Sequence, residues 1–141
     1  METTKIENIL KYTGTKIVRA EPMNELKAVE LGYARPNEDN HEWREGYHVI
    51  YPDGYQSWSP KSVFENSYKC SETFIDRLKI EHDELNERLD NLRKFIHYSE
   101  EFKAIPKEEQ VLLISQFGAM QAYQGILCLR LSRLYEAGTK K

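Results

Sequence analysis

Cysteine is scarce in this chain of 141 residues: there are two, Cys70 and Cys128. They lie far apart and show no C-x-x-C spacing, which excludes a zinc knuckle or a dithiol redox motif and leaves two free thiols suited to a reducing compartment. A surplus of positive charge is missing as well. Twenty Lys and Arg stand against 23 Asp and Glu, a net charge of -3, which excludes a general binder of nucleic-acid polymers, since that needs a basic face. Unbroken apolar runs are short against the ~18 residues of a membrane span, so no membrane contact is expected. Met1 to Leu10 mixes charges with isolated apolar residues, so no secretory leader is expected and the protein is placed inside the cell.

Enzyme signatures are missing too. There is no Gly-rich phosphate loop, no G-x-S-x-G and no H-E-x-x-H. His41, His48, His82 and His97 are scattered. His82-Asp83 reads as a solvated pair on a helix, and nothing assembles a nucleophile, a base and an orienter. The reading is therefore no enzyme, no catalytic residues, no metal and no cofactor.

What the chain does have is a dense stretch from Gly46 to Lys61. Tyr47, Val49 and Tyr51 alternate, Pro52-Asp53-Gly54 forms a turn, and Tyr55, Ser57 and Trp58 resume the alternation. Pro presets φ and Gly accepts positive φ, so a β-hairpin is expected. Ser59-Pro60-Lys61 carries a helix-start signal, with Ser as the cap and Pro at the first helical position.

The chain divides near Ser67 to Glu72, giving domains 1–70 and 71–141. In the first, Tyr12 to Ala20 reads as a strand from its β-branched content. Asn24 caps a short helix from Glu25 to Leu31 that Gly32 stops, and residues 35–40 form a polar loop. Residues 1–70 hold 9 basic and 11 acidic side chains, so this half is not a basic patch. A sheet this small is marginal alone.

In the second domain the period changes to that of helices. Ser71 or Thr73 starts a helix that runs to about His97, with Phe74, Leu78, Leu85, Leu89, Leu92 and Ile96 on one stripe. Pro106 begins a second helix to about Tyr135, with Gly138 as its stop. Its stripe is Val111, Ile114, Phe117, Met120, Tyr123, Leu127, Leu131 and Leu134. A loop around residues 99–105 makes the pair an antiparallel hairpin. The fold class is thus α+β: a small antiparallel β domain, then a long helical hairpin. Leu112, Leu113, Ile126, Cys128 and Leu129 lie off the main stripe, which implies a second copy against the hairpin and a homo-oligomer.

Binding chemistry is concentrated on the second helix. Arg130 and Arg133 lie close to its apolar stripe, with Tyr123 at helical spacing from Arg130. A guanidinium beside an aromatic suits a nucleotide: rigid donors for phosphate, a flat face for the base. On periodicity alone the two arginines read first as cations at a helix C-terminus, and Trp58 reads as core.

The pattern Tyr12-Thr-Gly-Thr-Lys-Ile-Val-Arg-Ala-Glu-Pro-Met23, with the Gly46 to Tyr68 segment, resembles a small domain common in bacteriophage proteins. Arg77-Leu78, Glu84-Leu85, Arg88-Leu89, Leu92, Phe95-Ile96, Phe102, Gln110, Leu112-Leu113, Gln116, Met120, Tyr123, Leu127 and Arg130 resemble the helical hairpin of two groups of phage immune-evasion proteins. These are the first-described class of Thoeris anti-defence proteins and an anti-CBASS cyclic-nucleotide sponge. The resemblance implies a sponge in the bacterial host cytoplasm that holds a cyclic ADP-ribose isomer, with cyclic di- or trinucleotides as further ligands, and does not cleave it. It implies a dimer or hexamer with the pocket between protomers. Phe95 and Arg130 carry over first, as base-stacking and phosphate-binding groups; Arg77, Tyr123 and Arg133 follow, with Lys61 and Trp58 from a covering loop. The rival readings are a dimeric protein-interaction module that binds a host or phage protein, and an enzyme that degrades the signal.

Overall fold

The computed structural model describes residues 8–139 and divides into two units, Met1–Tyr68 and Lys69–Lys141. In the first unit, strand β1 (Arg19–Pro22), helix α1 (Glu25–Leu31), strands β2 (Gly46–Ile50) and β3 (Gln56–Pro60) and helix α2 (Lys61–Ser67) follow in order. The three strands form one antiparallel sheet in the order β1-β2-β3. The hairpin lies where the alternation places it, with Val49 opposite Ser57 and Tyr47 opposite Ser59. The turn closes through Gly54 N–H donating to the Tyr51 carbonyl, and Gly54 has a φ of 91°, which its missing Cβ permits.

The expected strand from Tyr12 to Ala20 is much shorter than its composition suggests. Arg19 pairs with Ile50, the last residue of β2. Residues before Arg19 run past the end of β2 and have no ladder to join, so β-branching alone does not make them a strand. Pro22 is accepted because β1 is an edge strand. Helix α1 has the expected ends: the Asn24 side chain accepts from Leu26 N, and Gly32 closes it with φ 84°. The start of α2 differs from expectation. Ser59 is still in the strand, opposite Tyr47; Pro60 occupies the cap position without a side-chain cap bond.

A buried polar cluster ties α1 to the sheet. Glu25 is 3% exposed. Its carboxylate accepts from Arg44 Nη2 at 2.9 Å, Arg44 Nε at 3.3 Å and the Arg44 backbone at 3.2 Å, and meets His41 Nε2 at 2.9 Å. These bonds, the Arg44 side chain first and against the cost of burial, pull its pKa down to about 2. Trp58 lies across the sheet with its indole N–H donating to the Met23 carbonyl at 2.7 Å. A Cβ at Gly46 would overlap both the Ser59 carbonyl oxygen and the Trp58 indole, so only glycine fits there.

The second unit consists of α3 (Phe74–Tyr98), α4 (Glu100–Ala104) and α5 (Lys107–Thr139). Thr73 and Asp76 form a reciprocal capping box at the start of α3. Residues expected as loop form α4, because the Ser99 side chain accepts from Glu101 N and caps a further turn. Helix α5 passes through Gly138 to Thr139; glycine at the last turn costs too little to stop it.

Antiparallel packing of α3 and α5 follows from three levels of contact. Leu78 packs with Leu127 and Leu131, Gln124 donates to Asn86, and Arg93 lies over Phe117. Among the covered residues of α3, Ile75, Leu78, His82, Leu85, Leu89, Leu92 and Ile96 form one series; on α5, Leu113, Phe117, Met120, Gln124, Leu127, Leu131 and Leu134 form another. Both series step by three and four, which is a heptad seam. The expected stripe of α5 is corrected by it: Val111, Ile114 and Tyr123 are 57%, 53% and 44% exposed, and Gln124 takes the inward place.

Candidate functional site

One edge of the α3–α5 hairpin gathers the chemistry expected of α5. The Arg130 guanidinium lies 5.9 Å from the centre of the Phe74 ring. Tyr123, two turns earlier on the same side of α5, donates its hydroxyl to Glu81 of α3. That bond raises the phenol's pKa above its ordinary value, burial adds to it, and the positive charge of Arg130 opposes it. Phe74 and Glu81 are themselves two turns apart, so each faces its partner across the antiparallel pair. Arg130 has no ion pair among the described residues, which leaves its fork of donors open.

Phe74 and Glu81 were not among the residues expected at a site. Phe74 was expected on the apolar stripe of α3; the available signal was the seven-residue spacing of Phe74 and Glu81, equal to that of Tyr123 and Arg130. Arg77, one turn after Phe74, spends Nη1 on the Ser71 and Glu72 carbonyls at 3.0 Å each. Arg133 is exposed on α5, one turn beyond Arg130 and turned towards the outward face.

Phe95 is elsewhere. It packs edge-on against Phe102 of α4, ring centres 5.8 Å apart, at the closed end of the hairpin. Phe74 and Phe95 lie on one continuous helix, roughly 30 Å apart at 1.5 Å per residue. One protomer therefore does not bring Phe95 and Arg130 to the same ligand.

Lys61 and Trp58 belong to the first unit. Lys61 is exposed at the first position of α2, its backbone N–H donating to Glu45. Trp58 is half-buried, held by Met23, with the Arg44 guanidinium 5.4 Å over its ring. It borders a cavity of about 590 Å³ whose walls include Arg35, Arg44, Glu38, Asp39 and the buried Glu25. Walls of both signs do not select an anion, and Arg44 is already engaged by Glu25. The hairpin edge is the better match to a phosphate-bearing ligand.

The rest of α5 is apolar and uncovered. Leu112, Ile126 and Leu129 are 61%, 55% and 67% exposed, and Gly118, Ala119, Ala122 and Gly125 lie on the same side. Gln110 to Leu129 contains no Asp, Glu, Lys or Arg. Lys107–Gly138 is long and apolar enough to cross a membrane by length and composition alone, with a window mean hydropathy of 1.2, of which 6% is buried. The expectation that no segment reaches that length rested on unbroken apolar runs; four glutamines interrupt this one without adding charge. Among the described residues no group of three or more His, Cys, Asp or Glu could hold a metal ion.

The fold and this edge define a class: a small β unit joined to a heptad-packed helical hairpin that offers cationic and aromatic groups for binding. Residues 72–133, from the start of the capping box to near the end of α5, match the family model described as Sequestin. The hairpin is thus similar to a family described by sequestration, which fits a binding role for the chain. No curated protein and no solved structure matches it.

Proposed function

We propose that this protein sequesters a cyclic nucleotide immune signal, a cyclic ADP-ribose isomer before cyclic di- or trinucleotides, in the cytoplasm of a bacterial host and without cleaving it. The observation that carries the reading is the unpaired Arg130 beside Phe74 and Tyr123, on the hairpin that matches Sequestin. Arg130 takes a phosphate of the ligand through paired donors. Phe95 supplies the base-stacking face from another protomer, since the two lie at opposite ends of one hairpin. Tyr123 and Arg133 flank the phosphate, and Arg77 supports the edge.

The ligand site therefore needs a homo-oligomer, a dimer or a hexamer. The bare face of α5 supports this: Gly118, Ala122 and Gly125 allow close helix approach, and Leu112, Ile126 and Leu129 reward burial. Lipid is a poor cover for the same face, because Gln121 is exposed beside it and an amide carried into hydrocarbon is costly. A sponge for a dilute signal needs nanomolar affinity, about -12 kcal/mol.

The test is to incubate the purified protein with cyclic ADP-ribose isomers, cyclic dinucleotides and cyclic trinucleotides, filter, denature and identify what is released. Intact nucleotide is expected. An altered product makes the protein an enzyme, and nothing retained favours a module that binds another protein. Arg130→Ala is expected to weaken retention by roughly tenfold or more, the worth of a charged hydrogen bond, while gel filtration shows the oligomer unchanged. Wild-type retention by that variant would move the pocket off this edge.

A further inference from the structure

The opposite edge of the hairpin holds a group that sequestration does not use. Cys128 of α5 lies with its sulfur 3.3 Å from His82 Nε2, and His82 Nδ1 lies 2.9 Å from Asp83 Oδ1. The sequence reading, which saw no nucleophile, base and orienter together, is corrected here: Cys128 and His82 are 46 positions apart and meet through helix packing. His82 is not a solvated histidine. Its side chain is 25% exposed, and it occupies an inward heptad position. Asp83 accepts from Nδ1, which leaves Nε2 to accept the thiol proton. One turn along, Asn86 and Gln124 continue the polar stretch of the seam, and the Gln124 carbonyl oxygen is buried with no donor. An amide pair inside a leucine seam is explained by register. A thiol on an imidazole at its rim is not.

We propose that Cys128 is a modification site: a nucleophilic thiol that hands its proton to His82 as it takes soft electrophiles such as peroxides. The three groups have the nucleophile, base and orienter arrangement that activates a thiol, and Cys128 is open to solvent. With a peroxide, the thiol proton passes to His82 Nε2 and the sulfur attacks one oxygen. The S–O bond forms as the O–O bond breaks, and the leaving hydroxide takes the proton from His82 as water. Sulfur is oxidised to a sulfenic acid and the peroxide is reduced. The proposal concerns a single modification and implies no turnover.

Cys70 is the internal reference. It is also exposed, but its sulfur donates to the Asp76 carboxylate at 3.5 Å, so a carboxylate stands where Cys128 has an imidazole. Iodoacetamide is the probe: the S–C bond forms as iodide leaves with the C–I electron pair. Mass spectrometry of the two cysteine peptides gives both rates in one sample. In the native protein Cys128 is expected to react roughly tenfold faster than Cys70, and in urea the ratio should fall to about one. His82→Gln should slow Cys128 and leave Cys70 alone. A native ratio near one overturns the proposal, and so does a His82→Gln rate equal to wild type. If circular dichroism shows that the variant loses its helices, the native-to-urea comparison in the wild type decides. Sulfenic acid trapping with dimedone after peroxide should label the Cys128 peptide; label only on Cys70 also overturns the assignment.

Discussion

The two units are held together by opposite means. The first is organised by a buried charge: Glu25, 3% exposed, gathers His41 and Arg44 and fixes the polar loop to α1. The second is organised by apolar repetition, with leucines at heptad positions and Leu127 fully buried. A few residues cannot bury enough apolar surface to form a core, so the small sheet relies on directional bonds that fit one arrangement. The hairpin has length instead, and each turn adds an equivalent layer. The difference also explains where binding chemistry sits. A seam that needs only its inward residues leaves both edges and the outward face of α5 free for other uses.

The largest test of this contrast is Leu127→Ala. Removing a fully buried leucine should cost about 3 kcal/mol, read by far-UV circular dichroism in urea as a lower midpoint for the helices. Both tryptophans, Trp43 and Trp58, are in the first unit, so their fluorescence reports the sheet separately. The expected result is a shifted helical transition with an unchanged tryptophan transition. Shifts of both in step would show one cooperative body and break the comparison.

Glu25→Ala is the converse and should be next in size, about 2 kcal/mol for charged hydrogen bonds lost to half-exposed partners, now in the tryptophan signal. The same residue gives the sheet unit an acid sensitivity of its own. The carboxylate has a pKa of about 2 when folded against 4.5 as its ordinary value. A depressed folded pKa means its stabilisation is complete above about pH 4.5 and is lost as pH falls to about 2. The tryptophan midpoint of the wild type should drop across that window, and Glu25→Ala should flatten its share of the drop. The smallest effect should be Thr73→Ala, which removes the α3 capping box for about 1 kcal/mol, visible in the helical signal alone.

Much of this was legible in the sequence, and for local reasons. Asn24, Gly32 and Thr73 mark helix ends because caps are made by residues a few positions apart. Pro52-Asp53-Gly54 marks the turn in the same way. The misjudged elements are those that need a distant partner. Tyr12 to Val18 has strand composition but runs beyond the end of β2. Tyr123 and Gln124 are adjacent on α5, and which one faces inward depends on the seam with α3. The site behaves likewise: Arg130 and Tyr123 were legible from their spacing on one helix, whereas Phe74 and Glu81 enter only through packing, and Phe95 is removed from Arg130 by the length of α3.

By itself, the sequence determined the period of each region, the caps, the hairpin turn and the presence of an arginine beside aromatics. These depend on contacts within a turn or two, where chain connectivity supplies the geometry. Tertiary structure alone decided that Glu25 is a buried anchor, that Arg130 lies over Phe74, and that Cys128 meets His82 across 46 positions. Each of these joins groups from different elements that only packing brings together, and at Glu25 burial adds to the strength of the charge.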